Sequence, residues 1–147
     1  MRSGSCIVFR NNQVLLVRHT YGAVKGKYLI PGGCAEENEL PAKAAEREVF
    51  EETKVKVIAK RLVAIRFTTN ENWCIFDAEY ISGEPMSDFN ENDSAVFMDI
   101  DQAIDSEEVV ETTRVLIKSL LDSKKSSLSK SSFVNARYDK DEWQLYI

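Results

Sequence analysis

The chain has 147 residues, a length that suits one compact domain. Hydrophobic residues make up 44% and charged residues 29%, as in ordinary globular proteins, and the formal net charge is −5. General binding to nucleic acid or to an anionic membrane needs a basic surface, so the acidic balance argues against both functions. A small anionic substrate remains compatible with it, because a bound divalent cation reverses the local field.

The cysteine pattern and the N-terminal residues predict where the protein works. Cys6, Cys34 and Cys74 are odd in number and far apart, which predicts free thiols in a reducing cytoplasm and neither a disulfide framework nor a zinc site. No basic segment precedes a long apolar run, so we expect no signal peptide. No apolar run approaches the roughly 18–20 residues that a membrane span requires.

The first half of the chain predicts a β-hairpin, a third strand and a helix. Short apolar runs rich in β-branched residues lie at 6–9 and 14–17, and Asn11-Asn12 between them is a turn signal. After a glycine-containing loop, a strand at 28–30 ends at Pro31-Gly32-Gly33. Helix-forming residues then run from 41 to 53, and a proline suits the first helical turn.

The second half predicts further strands, a late helix and a tail. Strand-like runs lie at 55–58, 61–67, 73–81 and 95–100, and an amphipathic pattern at 105–121 predicts a helix. Several strands interrupted by two helices indicate an α/β or α+β fold with a mixed β-sheet. Residues 123–132 form a Ser/Lys-rich linker, and 133–147 end in a strand-like segment that we expect to pack on the same domain or on a dimer partner.

Three glutamates on the first predicted helix are candidate metal ligands. Glu48, Glu51 and Glu52 stand at i, i+3 and i+4, a spacing that places all three side chains on one face. Like charges this close repel, and Mg²⁺, which prefers oxygen ligands, would offset that repulsion. Arg47 beside them can orient carboxylates through hydrogen bonds. Taken alone, the pattern also suits a solvated acidic face.

The residues around this cluster resemble the Nudix box, G-x5-E-x7-R-E-U-x-E-E-x-G-U, in which U is a bulky apolar residue. The specified positions are occupied by Gly33, Glu39, Arg47, Glu48, Val49, Glu51, Glu52 and Val55. Lys54 stands where the second glycine is expected, so either it adopts a positive φ at a cost of about 1 kcal/mol or the loop takes another path. With the flanking strands and late helix, the resemblance to MutT-like Nudix hydrolases implies a Nudix domain over 1–122, its mixed sheet sandwiched between helices.

The resemblance also implies roles for the box residues. Glu48, Glu51 and Glu52, with the Gly32 carbonyl, would bind Mg²⁺, for which Mn²⁺ can substitute, and Arg47 would orient the carboxylates. Such ions neutralise the diphosphate and activate a water for in-line attack at phosphorus. One carboxylate serves as general base, and the sequence leaves Glu48 and Glu52 both open.

Candidate substrate contacts lie inside and outside the box. Within it, Gly33 approaches the substrate and Glu39 supports the loop. Outside it, the basic residues are candidate phosphate contacts or simply surface charge: Arg18, Lys25, Lys27 and Arg66. Tyr28 and Trp73 could stack on a base or lie in the core. Asp88, Glu91 and Asp93 could supply an extra acid or form a solvated loop. His19, the one histidine, is a weaker candidate for a substrate contact.

The predicted function is Mg²⁺-dependent hydrolysis of a diphosphate linkage in a nucleoside diphosphate derivative or a nucleoside triphosphate, releasing a nucleoside monophosphate. The alternative is a Nudix-fold module that senses a nucleotide without cleaving it. A homodimer is compatible with either function. No proline lies between Val55 and Gly83, which disfavours the ADP-ribose hydrolases of the family.

Overall fold

The computed structural model describes residues 1–122, 128 and 130–147 and shows strands and helices mixed along the chain. The strands are β1 Arg2–Arg10, β2 Gln13–His19, β3 Tyr28–Leu29, β4 Gly32–Cys34, β5 Lys56–Thr68, β6 Asn72–Ser82, β7 Asn92–Asp99 and β8 Trp143–Tyr146. The helices are α1 Pro41–Thr53, α2 Ile100–Asp105 and α3 Glu111–Leu121.

The strands form one mixed sheet in which β1 is central. Its main path runs β3-β2-β1-β6-β5-β8, while β4 pairs with β1 and β7 pairs with β2. β1 is parallel to β6 and antiparallel to β2 and β4. The hairpin predicted between β1 and β2 is confirmed, and both turn residues, Asn11 and Asn12, have positive φ. The predicted class, an α+β fold with a mixed sheet, is also confirmed.

Alternating side chains of β1 and β2 belong to two hydrophobic cores on opposite faces of the sheet. Cys6 and Val8 pack with Ala45 and Val49 of α1. Ile7, between them in sequence, lies in the other core with residues of α2, α3 and the C-terminal tail. The sheet is therefore covered on both faces, and α1 has a face to itself.

The bounds of three predicted strands, those at 55–58, 61–67 and 95–100, are wrong. The separate strands at 55–58 and 61–67 are one strand, β5, whose register shifts between Ala59 and Arg61, so an irregularity in pairing replaces the predicted break. The strand predicted at 95–100 begins earlier, at Asn92, and ends at Asp99. Ile100 is instead the first residue of α2.

The single late helix predicted at 105–121 is also wrong. α2 ends at Asp105, where that helix was expected to begin, and α3 starts at Glu111. Between them, Val109 forms an isolated bridge with Tyr28 and is buried. Its apolar side chain fits the helical spacing, but it reaches the core from an extended segment, because tertiary packing overrides the periodicity.

A strand missed from the sequence begins at the glycine pair that we predicted as a turn. Gly32 to Cys34 form β4 and pair antiparallel with Ser3 to Ser5 of β1. The segment is glycine-rich and short, so neither propensity nor alternation marked it as a strand. The pairing anchors the start of the box beside the first residues of the chain.

The C-terminal tail returns to the sheet. β8 pairs antiparallel with β5, with Leu145 opposite Arg66 and Trp143 opposite Thr68. Most of the predicted Ser/Lys-rich linker lies outside the described residues, although Lys130 forms a bridge with Tyr146. The tail thus contributes the edge strand of this sheet.

Cys6, Cys34 and Cys74 are free thiols, as the sequence predicts. Within the described part of the chain, no helix is both long enough and apolar enough to cross a membrane.

Candidate active site

Helix α1 presents the box glutamates, and its ends are set by local sequence. Pro41 opens the helix, where its missing N–H is harmless. Lys54 ends it with φ 63 and ψ 8, and its N–H donates to the Phe50 carbonyl. Of the two outcomes left open at this position, lysine therefore adopts the left-handed conformation that a glycine would take more readily.

Arg47 forms hydrogen bonds with several residues of the box. Its guanidinium donates to both carboxylate oxygens of Glu39, to Glu48 Oε1 at 2.9 Å, to Glu51 Oε2 at 3.1 Å and to the Cys34 carbonyl at 3.0 Å. These bonds join the loop before the helix to the helix itself. The paired guanidinium and the Glu36 N–H lower the pKa of Glu39 to about 2. Glu39 is therefore negatively charged at neutral pH and stays paired with Arg47.

Glu52 is the most buried of the glutamates, with 2% of the residue exposed. Its Oε1 accepts a hydrogen bond from the Gly32 N–H at 3.0 Å. Its Oε2 is buried and has no hydrogen-bond partner within the described structure. Burial, followed by the charges of Glu48, Glu91 and Asp88, raises the pKa of Glu52 to about 8, although the Gly32 N–H opposes the shift. The site therefore lacks a compensating positive charge at this oxygen.

Glu48 lies directly against the backbone of β4. A Cβ placed on Gly33 would stand 2.5 Å from the Glu48 Cδ, so only glycine admits the carboxylate here. Burial raises the pKa of Glu48, and the bond from Arg47 lowers it by less. Glu51 is the most exposed of the three, with 55% of its side chain accessible.

The loop before β7 brings a fourth carboxylate to the cluster. The charge of Glu91 raises the pKa of both Glu48 and Glu52, and the charge of Asp88 raises that of Glu52. The neighbouring Asn92 is fully buried and its Nδ2 donates to the Glu52 carbonyl at 2.9 Å. This bond, unforeseen in the sequence, fixes the loop to the end of α1. Glu91 and Asp88 are thus the members of the predicted acidic loop whose charges act on the box.

A cleft of ≈ 210 Å³ adjoins the box on the sheet side. Residues of five segments line it: Ser3, Ser5, Leu29, Ile30, Gly32, Gly33, Cys34, Arg66, Glu71 and Trp73. Of the predicted substrate contacts, Gly33, Arg66 and Trp73 line this cleft, whereas Glu39 is engaged by Arg47. Ser3, Ser5 and Glu71 were not predicted. The two serines alternate on one strand, a signal that sequence analysis could have used.

Arg18 and Tyr28 are brought together, but neither of them lines the cleft. Arg18 Nε donates to Asp93 at 2.7 Å, and its guanidinium carbon lies 5.5 Å from the centre of the Tyr28 ring. The Tyr28 hydroxyl shares a hydrogen bond with Ser94 at 2.9 Å. Both side chains therefore have structural partners on β7.

The donor set of this cluster fits a divalent cation such as Mg²⁺. Glu48, Glu51 and Glu52, with the Gly32 carbonyl, offer hard oxygen donors, and the buried Glu52 Oε2 has no other partner among the described residues. Within the described residues, however, no three His, Cys, Asp or Glu side chains are already grouped as a metal site. Arg47 donates to one oxygen of Glu48 and to one of Glu51, so a cation would be held by the other oxygens of these two carboxylates.

Comparisons with known proteins agree with this geometry. The family model described as the NUDIX domain matches residues 1–120. A MutT Nudix hydrolase from Burkholderia pseudomallei is 20% identical, with 81% of this chain and 96% of that one covered and a TM-score of 0.65. An ADP-ribose pyrophosphatase from Streptococcus suis is 19% identical, with coverages of 84% and 93% and a TM-score of 0.66.

A UDP-X diphosphatase is 21% identical, with 82% of this chain and 62% of that one covered and a TM-score of 0.64. At these identities the solved structures show a shared fold and leave the substrate open. No curated protein matches the chain. The matched family model spans most of the sequence, including the whole glutamate-bearing helix and the loop that Arg47 joins to it. The chain therefore belongs to the Nudix family of pyrophosphohydrolases.

Proposed function

We propose that this protein hydrolyses the diphosphate linkage of a nucleoside diphosphate derivative or a nucleoside triphosphate, in a reaction that depends on Mg²⁺ and releases a nucleoside monophosphate. The observation that carries the proposal is the carboxylate cluster beside the cleft. Glu52 is buried there with one oxygen unpaired within the described structure, and the negative charges of Glu48 and Glu91 act on it. A buried, uncompensated carboxylate cluster is costly unless a cation or a proton neutralises it.

Each box residue has a part in this proposal. Glu48, Glu51 and Glu52, with the Gly32 carbonyl, would hold the cation, which would neutralise the diphosphate charge and lower the pKa of the attacking water. Arg47 keeps the carboxylates oriented. Gly33 leaves the space that Glu48 occupies. Glu48 or Glu52 takes the proton of the attacking water; of the two, Glu48 has the more exposed carboxylate.

The substrate is a nucleotide whose non-reacting part lies in the cleft. The ADP-ribose pyrophosphatase and the UDP-X diphosphatase share the fold and are named for different substrates. Fold similarity therefore does not choose between them. We also propose a cytoplasmic location, because the three cysteines are free thiols. A homodimer stays a prediction.

The test is a substrate panel with the metal varied. The purified protein is incubated with dNTPs, oxidised dNTPs, ADP-ribose, nucleotide sugars and dinucleoside polyphosphates, with Mg²⁺, Mn²⁺ or EDTA, while monophosphate and pyrophosphate release are measured. We expect turnover of one class that EDTA abolishes. Glu37→Gln, at an exposed glutamate of the loop before α1, is the matched control and should keep full activity.

The same panel separates catalysis from sensing. Nucleotide binding without turnover under any metal condition would overturn the hydrolase proposal. That outcome would favour the nucleotide-sensing alternative, for which the present engagement of Glu48 and Glu51 by Arg47 would be the resting arrangement.

A further inference from the structure

We propose that the C-terminal tail, residues 130–147, supports a specificity wall of the cleft from behind: Trp143 positions Arg66, which lines the cleft, to donate hydrogen bonds to an acceptor on the substrate. The inference deepens the proposed function and rests on it. The tail lies beyond residues 1–120, which the family model matches. The support that it gives to Arg66 would therefore be an addition that this chain makes to the domain.

A row of residues across the sheet connects this wall to the box. Cys34 on β4 pairs with Ser3 on β1, Ser3 with Trp73 on β6, Trp73 with Arg66 on β5, and Arg66 with Leu145 on β8. Neighbouring strands are about 4.8 Å apart, so Arg66 lies roughly 14 Å along the sheet from β4. A nucleotide whose diphosphate lies at the box would extend its far end toward Arg66.

Trp143 supports Arg66 from the tail side. Trp143 is 3% exposed, and the rings of Phe133 and Tyr138 pack on it with centroids 6.0 and 5.2 Å away. The Arg66 guanidinium carbon lies 5.4 Å from the Trp143 ring and 4.8 Å from the Trp73 ring. Two indoles thus hold the guanidinium through cation–π contacts.

Arg66 is mostly buried, and not all of its hydrogen-bond donors have partners among the described residues. Its side chain is 13% exposed, and Nη2 donates to Glu71. Its Nε is buried and has no partner among the described residues. Burial lowers the pKa of Arg66, so the charged form is incompletely compensated in the free protein. Because Arg66 lines the cleft, its other guanidinium donors can meet an acceptor on a ligand there, whereas Nε is covered by the protein.

The neighbours of Arg66 make the wall rigid. Glu71 accepts hydrogen bonds from both the Ser3 hydroxyl and Arg66, and it comes from the turn between β5 and β6. The Trp73 indole N–H donates to the Ser5 hydroxyl at 2.8 Å. Since all five of these residues line the cleft, a ligand meets donors already held in place.

The chemistry that Arg66 recognises is a hydrogen-bond acceptor in the plane of its guanidinium. A nucleobase carbonyl or ring nitrogen meets that need, and so does an oxygen of a sugar phosphate. The two sources are distinguished by probes with and without a base.

The experiment measures binding by calorimetry with AMP, GMP, CMP and UMP and with ribose 5-phosphate, none of which contains a diphosphate. Arg66→Met should weaken binding of the recognised probe about 10- to 150-fold, because a charged donor is lost. Trp143→Phe, which retains an aromatic ring in the core, should weaken it about 2- to 30-fold. Loss confined to nucleotides assigns the acceptor to the base, whereas equal loss for ribose 5-phosphate assigns it to the sugar phosphate.

Leu116→Val is the matched control. Leu116 is buried in the same hydrophobic core as Trp143, but it lies on α3, outside the tail. It should lower the Tm as much as Trp143→Phe does and leave the Kd within twofold. For a substrate found in the panel, Arg66→Met should raise KM and leave kcat within a few-fold, a split that a merely structural residue would not produce.

Two results would overturn the inference. One is unchanged binding in both Arg66→Met and Trp143→Phe with folding intact; the other is no binding of any probe to the wild-type protein. Failure of the proposed function is a separate result, because it appears as absent turnover in the panel whether or not the wall binds nucleotides.

Discussion

The two ends of the cleft each contain a charged side chain that is largely shielded from solvent, but the two sites are assembled from different parts of the sequence. At the box, Glu52 is a buried carboxylate whose pKa burial raises to about 8. At the tail, Arg66 is a mostly buried cation whose pKa is lowered by its partial burial. Glu52 belongs to a contiguous motif on one helix, whereas the partners of Arg66 come from β5, β6, the turn between them and the C-terminal tail.

From this difference we expect the box to carry out the reaction at the diphosphate and the tail end to select the substrate. A metal at the box would act on the diphosphate, which is common to many nucleotides, so its ligands can sit in one short motif. Recognition of the remaining substrate needs donors spread over a cleft, and strands distant in sequence supply them. If this division is right, substitutions at the box should lower kcat and substitutions at the tail wall should raise KM.

The largest effect should come from Glu52→Gln. The amide keeps the shape of the side chain but neither binds a hard cation well nor accepts a proton, so we expect kcat to fall about 10²- to 10⁴-fold with KM little changed. Steady-state kinetics on the substrate identified in the panel measures both constants. A pure rise in KM would contradict the division between the two ends.

Arg47→Lys should have the next largest effect. Lysine keeps the charge but loses the planar fork that bonds Glu39, Glu48 and Glu51 together. Groups that orient metal ligands typically contribute 10- to 100-fold to metal affinity or activity, and we expect a loss in that range. Activity titrated with Mg²⁺ tests it, and Lys43→Arg, at an exposed position of the same helix, is the control. Unchanged Mg²⁺ dependence would show that Arg47 is only structural.

The box end could be predicted from sequence because its spacing is local. The bounds of α1 were predicted to the residue, and the helical spacing brought Glu48 and Glu52 to one face. The bonds from Arg47 to Glu39 and the approach of Gly33 to Glu48 follow from the same segment. Because the box positions are few and their spacing is fixed, contacts within one turn of α1 and with the loop before it can be predicted from the sequence.

The tail end could not be predicted in this way. Trp73 and Arg66 appeared in the sequence as unconnected candidates, because strand order alone makes them neighbours. Trp143 meets them only because β8 pairs with β5 over a long separation in sequence. The division of the late helix at Asp105 is of the same kind, since burial of Val109 against β3 overrides its helical periodicity.

A pH effect on the stability of the metal-free protein would sharpen the contrast. The folded pKa of Glu52 lies near 8, above its usual 4.5. Its contribution to stability is fully present below pH 4.5 and is lost as the pH rises through 8, because the folded state binds the proton more tightly. In EDTA, the Tm should therefore fall between pH 5 and pH 8.5, and Glu52→Gln should flatten that fall. Equal slopes in the two proteins would contradict the raised pKa.

The smallest effect should come from Lys54, the one position at which the box departs from the family pattern. Its φ of 63 places a side chain in the left-handed region, where glycine is unstrained. Lys54→Gly should raise the free energy of unfolding by about 1 kcal/mol, partly reduced by the greater freedom of glycine in the unfolded chain. Lys54→Ala is the control, because it removes the ammonium that lies 5.6 Å from the Phe50 ring and keeps the strain. Chemical denaturation measures both. If Lys54→Ala raised the free energy of unfolding as much as Lys54→Gly, the effect would come from the lysine side chain. If Lys54→Gly lowered it, the contact between Lys54 and Phe50 would outweigh the backbone strain.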